Sequence, residues 1–157
     1  MKHTISVLVE NHFGVLARIS GLFSARGFNI DSLAVGETDD PSISRMTIVV
    51  KGDETILEQV MKQLNKLIDV IKVLDLKEDS MVKSDLLLVK VKADKAAKSE
   101  ILQIVDIFRA KIVDVASNSV IIEMTGEEEK IETMLNMLKP FGILEVVRTG
   151  TVAMARG

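Results

Sequence analysis

The chain has no cysteine, tryptophan or tyrosine, and only two prolines among its 157 residues. Without cysteine there is no disulfide framework, no thiolate metal site and no thiol nucleophile. Its aromatic content is five phenylalanines, at positions 13, 23, 28, 108 and 141. None falls on the strand positions where an RNA-binding sheet would stack bases, so that mode of recognition is set aside. No apolar run approaches the ~20 residues needed to cross a bilayer. The opening MKHTISVLVEN has no basic region leading into a long apolar stretch, so no signal peptide is expected and a cytoplasmic location is. Charge is balanced, with 20 basic against 23 acidic residues and a net charge of −3. That excludes the clustered cations that grip phosphate backbones, and no nucleic-acid or membrane partner is expected.

Chemistry-bearing residues are equally scarce. The only histidines are His3 and His12, and neither has the spacing of a nucleophile's base or a metal ligand. There is no phosphate-cradling P-loop. Asp39-Asp40 sits in a turn-rich stretch and reads as a solvated turn. Glu127-Glu128-Glu129 reads as a helix first turn, where acidic side chains complement the macrodipole. No catalytic residue and no metal ligand is assigned.

Periodic hydrophobicity, by contrast, is abundant. Ile5, Val7 and Val9 alternate as a strand, and Val15, Leu16, Ile19, Leu22 and Phe23 share one helical face that ends at Arg26-Gly27. Residues 28–36 and Met46-Ile48-Val50 read as strands. Asp53 is placed to cap a helix carrying Leu57, Val60, Met61 and Leu64, and 69–77 returns as a strand. After a polar segment at 79–84, expected as a linker, the same order repeats through 85–157. Right-handed crossovers put the first and third strands of each unit at the sheet centre and both helices on one face. The expected fold class is α+β: two tandem ferredoxin-like βαββαβ units, 1–78 and 85–157. Units this small, with exposed strand edges, favour a homodimer, expected through the second strands. Gly21, inside the first helix, is expected where a neighbour packs closely, within the domain or across the dimer.

The two units differ at one turn. The first passes from strand to helix through Glu10-Asn11-His12-Phe13-Gly14, and the second through Lys92-Ala93-Asp94-Lys95-Ala96. Asp94 can cap its own helix. Gly14 leaves the helix N–H groups approachable, so an external anion could satisfy them. Asn11 can donate and accept, which suits a ligand carrying an ammonium beside a carboxylate. On spacing alone, Asn11 as an N-cap with Gly14 as an ordinary loop glycine stays open. Asn29, early on the second strand, would meet such a ligand from a neighbouring subunit.

The segment SVLVENHFGVLARISGLFSARGFNIDSLAVGETDDPSISRMTI, with its Asn-x-x-Gly-Val-Leu and Arg-Gly-Phe-Asn-Ile-Asp-Ser-Leu runs, closely resembles the regulatory small subunits of acetolactate synthase, beginning with an ACT domain. The resemblance runs the whole length, to TGTVAMARG. It implies a subunit without an active site that activates a separate catalytic (large) subunit and confers feedback inhibition by valine. The complex condenses two pyruvates to 2-acetolactate and CO2 in branched-chain amino acid synthesis. Its thiamine diphosphate, Mg2+ and FAD would belong to the catalytic subunit, with no cofactor in this chain. The resemblance further implies valine held between two ACT domains, by Asn11, Phe13, Gly14, Val15 and Leu16 of one chain and Asn29 and Ile30 of the other. Residue type varies at positions 12 and 13 in that family, so the resemblance implies no side-chain role for His12 or Phe13. A free-standing ACT amino-acid sensor acting on another partner is the alternative.

Overall fold

A computed structural model describes all residues, 1–157. The chain divides into two compact units, Met1–Val82 with Thr151–Gly157, and Lys83–Gly150.

In the first unit the elements are β1 (Lys2–Glu10), α1 (Val15–Arg26), β2 (Asn29–Glu37), β3 (Ile43–Lys51), α2 (Glu54–Asn65) and β4 (Val70–Leu76). The antiparallel sheet runs β2-β3-β1-β4, with β1 and β3 central as right-handed crossovers require. Ile5 pairs with Ile48 and Val7 with Met46, so one face of the two central strands carries the core. Ile19, Phe23, Leu57, Val60 and Leu64 from the helices close over it, all essentially inaccessible to water. Local signals set the boundaries. Asp53 Oδ1 accepts from the Ile56 amide at 2.9 Å, capping α2. Gly27 ends α1 in the left-handed region (φ 68°), and its neighbour Phe28 sets its ring edge-on to Phe23.

The second unit repeats the plan with β5 (Met81–Lys92), α3 (Lys95–Ile107), β6 (Lys111–Val115), β7 (Ser119–Gly126), α4 (Glu128–Leu138) and β8 (Ile143–Arg148), in the order β6-β7-β5-β8. Leu87, Val89 and Val91 of β5 and Val120, Ile122 and Met124 of β7 pack beneath Ile101, Ile131, Met134 and Leu138. Glu128 and Glu129 occupy the first turn of α4, as expected. Asp85, nearly fully buried, accepts from Arg148 Nε at 3.2 Å and Nη2 at 2.9 Å. Arg148 Nη1 also reaches Glu132 at 2.7 Å. Burial alone would lower the Arg148 pKa, but its hydrogen bonds to Asp85 and Glu132 outweigh it and leave it raised.

Three expectations are refined. The linker expected at 79–84 is not open chain: a 3-10 turn (Glu78–Ser80) runs directly into β5, because Met81 is buried against Leu76. The residues after 150 form β9 (Val152–Ala155), which pairs with β5 and groups by its contacts with the first unit. Ala153 packs with Leu76 and Met81, the Thr151 amide reaches Ser32 Oγ, and the Arg156 amide donates to the Ser80 carbonyl at 2.8 Å. These contacts lie on the sheet face opposite α1 and α2, which strand alternation alone leaves uncovered. Finally, Gly21 has no neighbour within its own domain, since a Cβ added there would meet nothing within 4 Å.

Two ionic arrangements yield predictions. Removing Arg148 while keeping Asp85 leaves a buried carboxylate unpaired, so Arg148→Met should destabilise the chain by about 3 kcal/mol in urea unfolding. Unchanged stability would show that the pair carries no structural weight. Asp31 is held below the usual carboxylate range, chiefly by a hydrogen bond from Lys2, against a desolvation that acts the other way, with Lys51 adding to the lowering. A depressed folded pKa stabilises fully above the unfolded value of about 3.9 and is lost as pH falls through the folded value. Acid unfolding of Asp31→Asn should therefore lose part of this dependence below about pH 4 and match the parent's dependence above it.

Candidate functional site

The β1–α1 turn is built by tying its first residue down and leaving its last uncapped. The Asn11 amide donates to the Ser42 carbonyl at 2.7 Å, and Asn11 Nδ2 donates to the Pro41 carbonyl at 2.9 Å and Glu37 Oε1 at 3.3 Å. Both donors thus anchor the turn to the β2–β3 connection. That connection is rigid in its own right: Asp40 Oδ1 accepts from the Ser42 amide and hydroxyl at 2.9 and 2.7 Å. The Ser42 hydroxyl, then its amide, hold the Asp40 carboxyl below the ordinary range. Asp39-Asp40 is therefore a self-satisfied turn, as expected. With Nδ2 fixed on Pro41, Asn11 Oδ1 is left as a free acceptor.

Gly14 stands at the N-cap of α1 with φ 87°, in the region that favours glycine, and no side chain caps the helix. The Val15 amide makes only a long contact, 3.4 Å, to the His12 carbonyl, and Arg18 donates to Gly14 at 3.0 Å. The Leu16 and Ala17 amides find no acceptor in the chain, so they form the electropositive end of the helix. They open on a cleft of about 580 Å³ lined by Val9 to Ala17, Val35, Ser44 and Met46. Val9, Val15 and Met46 make an apolar floor buried to 4% exposure or less, and Leu16 and Val35 stand half-exposed at the rim. A cleft of this size, with convergent amides and an apolar floor, fits a small amphoteric molecule.

Asn11, Phe13, Gly14, Val15 and Leu16 are thus brought to one cleft, although the Phe13 ring itself is fully exposed. Asn29 and Ile30 are not. Asn29 pairs with Lys51, which pairs with Lys2, whereas the turn follows Glu10 at the other end of β1. Nine residues of strand separate the two ends, roughly 27 Å. Asn29 is exposed on the free edge of β2, and Ile30 packs against the core.

Sequence reading missed the floor and one charged cluster. Ser44 and Met46 lie on a strand whose alternation is legible, but nothing local points them at this turn. His12 acquires a role: its Nε2 lies 3.0 Å from both Glu10 Oε2 and Asp69 Oδ1, and Asp69 Oδ2 accepts from Arg18 Nε at 2.7 Å. Asp69 is 57 residues away in sequence, which is why no spacing rule found it.

The corresponding turn in the second unit differs in its cap. Asp94 Oδ1 accepts from the Ala97 amide at 2.8 Å, so the helix is capped from within.

Comparison with known proteins agrees with this architecture. Residues 5–72 match the model of the acetolactate synthase (AHAS) small subunit-like ACT domain, and residues 84–157 match that of the small subunit of acetolactate synthase. The chain is 55% identical over 157 residues to a probable acetolactate synthase small subunit of Archaeoglobus fulgidus, covering 100% of this chain and 98% of that one. It is 54% identical over 155 residues to the acetolactate synthase small subunit of Mycolicibacterium smegmatis, covering 99% and 91%. The crystal structure of the Thermotoga maritima small subunit superposes with a TM-score of 0.95 at 43% identity, covering 100% and 98%. With both units matched and the chain paired end to end with its relatives, this protein belongs to the acetolactate synthase small-subunit family, the regulatory subunits of that enzyme.

Proposed function

We propose that this chain activates an acetolactate synthase catalytic subunit and makes it sensitive to valine, which binds in the Asn11–Ala17 cleft at a homodimer seam. Thiamine diphosphate, Mg2+ and FAD serve the catalytic subunit in this reading, and the complex works in the cytoplasm. The observation that carries it is the uncapped helix end beside Gly14, facing an apolar floor. The valine carboxylate takes the Leu16 and Ala17 amides, its ammonium donates to Asn11 Oδ1, and its isopropyl group lies on Val9 and Met46. Two charge-assisted hydrogen bonds contribute ~1.5–3 kcal/mol each and burial of the branched side chain ~1.5–3. After ordering costs this suits micromolar to millimolar affinity, about −8 to −4 kcal/mol.

The unpaired edge of β2 supports the dimer. Antiparallel pairing of two β2 strands about a two-fold between Ser32 and Leu33 sets position 29 opposite position 36, since the two numbers sum to 65. Asn29 of the partner subunit then arrives beside the Glu37–Asn11 end of the sheet, which its own chain cannot supply. Valine would bias such a dimer between arrangements that support the catalytic subunit differently, in proportion to its preference for one of them.

Substitution at residue 14 separates charge from shape. A Cβ there meets only Arg18 Nη1, at 3.9 Å. Gly14→Asp should abolish valine binding by calorimetry and leave activation of the catalytic subunit largely intact. The isosteric Gly14→Asn, equally strained but uncharged, should retain more of the binding. Normal valine binding by Gly14→Asp would refute the site. The shared seam has its own check: a mixed dimer of Asn11→Ala with Asn29→Ala should keep one intact site per dimer, and loss of both would contradict it.

A further inference from the structure

The His12 cluster lies outside the contacts assigned to the ligand, yet it is built into the same turn. Asp69 is 5% exposed and is the fixed point of the cluster. It holds Arg18 of α1 through one oxygen and His12 through the other, and its carbonyl accepts from the Glu10 amide at 2.9 Å. The charged groups facing the imidazole are Glu10 from β1, Asp69 from the α2–β4 turn and, behind Asp69, Arg18 from α1. Glu37 of β2 reaches the same turn through Asn11. Counting Glu10, Asp69 and Arg18, the cluster carries −1 with neutral imidazole and zero with imidazolium. With the imidazole charged, the Nε2–H shared between the two carboxylates becomes an ion pair as well as a hydrogen bond.

We propose that His12 is a positioning residue of the effector turn. Its imidazolium, clamped between Glu10 and Asp69, holds residues 11–14 with the Leu16 and Ala17 amides open, so that binding of an amino-acid carboxylate takes up a proton. This rests on the amino-acid reading of the cleft. Two physical effects act in the same direction. The clamp gives the Asn11–Gly14 turn an anchor besides those that Asn11 makes to Pro41, Ser42 and Glu37, and protonation cancels a net negative charge close to where the carboxylate lands. Histidine side chains ordinarily change charge within the physiological pH range, so that range is the one to test.

The test is calorimetric titration of the intact protein with valine at about pH 7, with EDTA present, in two buffers of different ionisation enthalpy. The difference in heat between buffers counts protons taken up on binding. The wild type should take up a fraction of a proton, and its affinity should tighten about three- to tenfold between roughly pH 8 and pH 6. His12→Gln, which keeps a hydrogen-bond donor but not the charge, should bind valine with no proton uptake and a flat pH profile. Asp69→Asn should flatten the profile as well, and because it also disturbs Arg18, His12→Gln is the deciding variant. Wild-type binding without proton uptake, or uptake retained by His12→Gln, overturns the proposal and leaves the valine site standing. Absence of any wild-type valine binding overturns the site itself and this inference with it.

Discussion

The functional reading depends on one unsatisfied helix end. A helix in a folded domain has four amide donors with no partner of its own, and the usual solution is a side-chain oxygen one residue upstream. Here α2 and α3 use that solution, through Asp53 and Asp94. At α1 the cap is Gly14, which has no side chain and adopts a left-handed conformation that turns the chain sharply between the end of β1 and the helix. The domain bears this cost at the surface, beside an apolar floor, which is what a site for a small anion with an apolar tail requires.

An open helix end is useful only if it stays open, and the surrounding contacts hold it. Asn11 fastens the turn to the Pro41–Ser42 backbone, the Asp40–Ser42 contacts stiffen that connection in turn, and the Asp69–His12–Arg18 cluster braces it from the other side. None of these groups fills the position of the missing cap. The second unit repeats the strand order, but there Asp94 supplies the side-chain cap that α1 lacks.

The strand and helix order was legible because it rests on local patterns: alternation in β1 and β3, a glycine stop after α1, aspartate caps on α2 and α3. The distinction between the two turns was legible for the same reason, since a cap is a matter of one residue and its neighbours three positions on. What sequence reading did not reach was tertiary. The burial of Met81, which converts an apparent linker into strand, depends on Leu76 and Ala153. The β9 strand pairs with β5, laid down far earlier in the chain. The role of His12 appears only when Asp69 closes the α2–β4 turn against β1. At Gly21 no close neighbour lies within the chain, which leaves packing across a dimer as the reading of that glycine.

The most direct measurement is the amide spectrum of the isotope-labelled protein during a valine titration. Carboxylate capture by the open helix end predicts large, saturable shifts of the Leu16 and Ala17 amides, with the internally capped Ala97 amide unmoved. Valine binding that leaves Leu16 and Ala17 unchanged would contradict it.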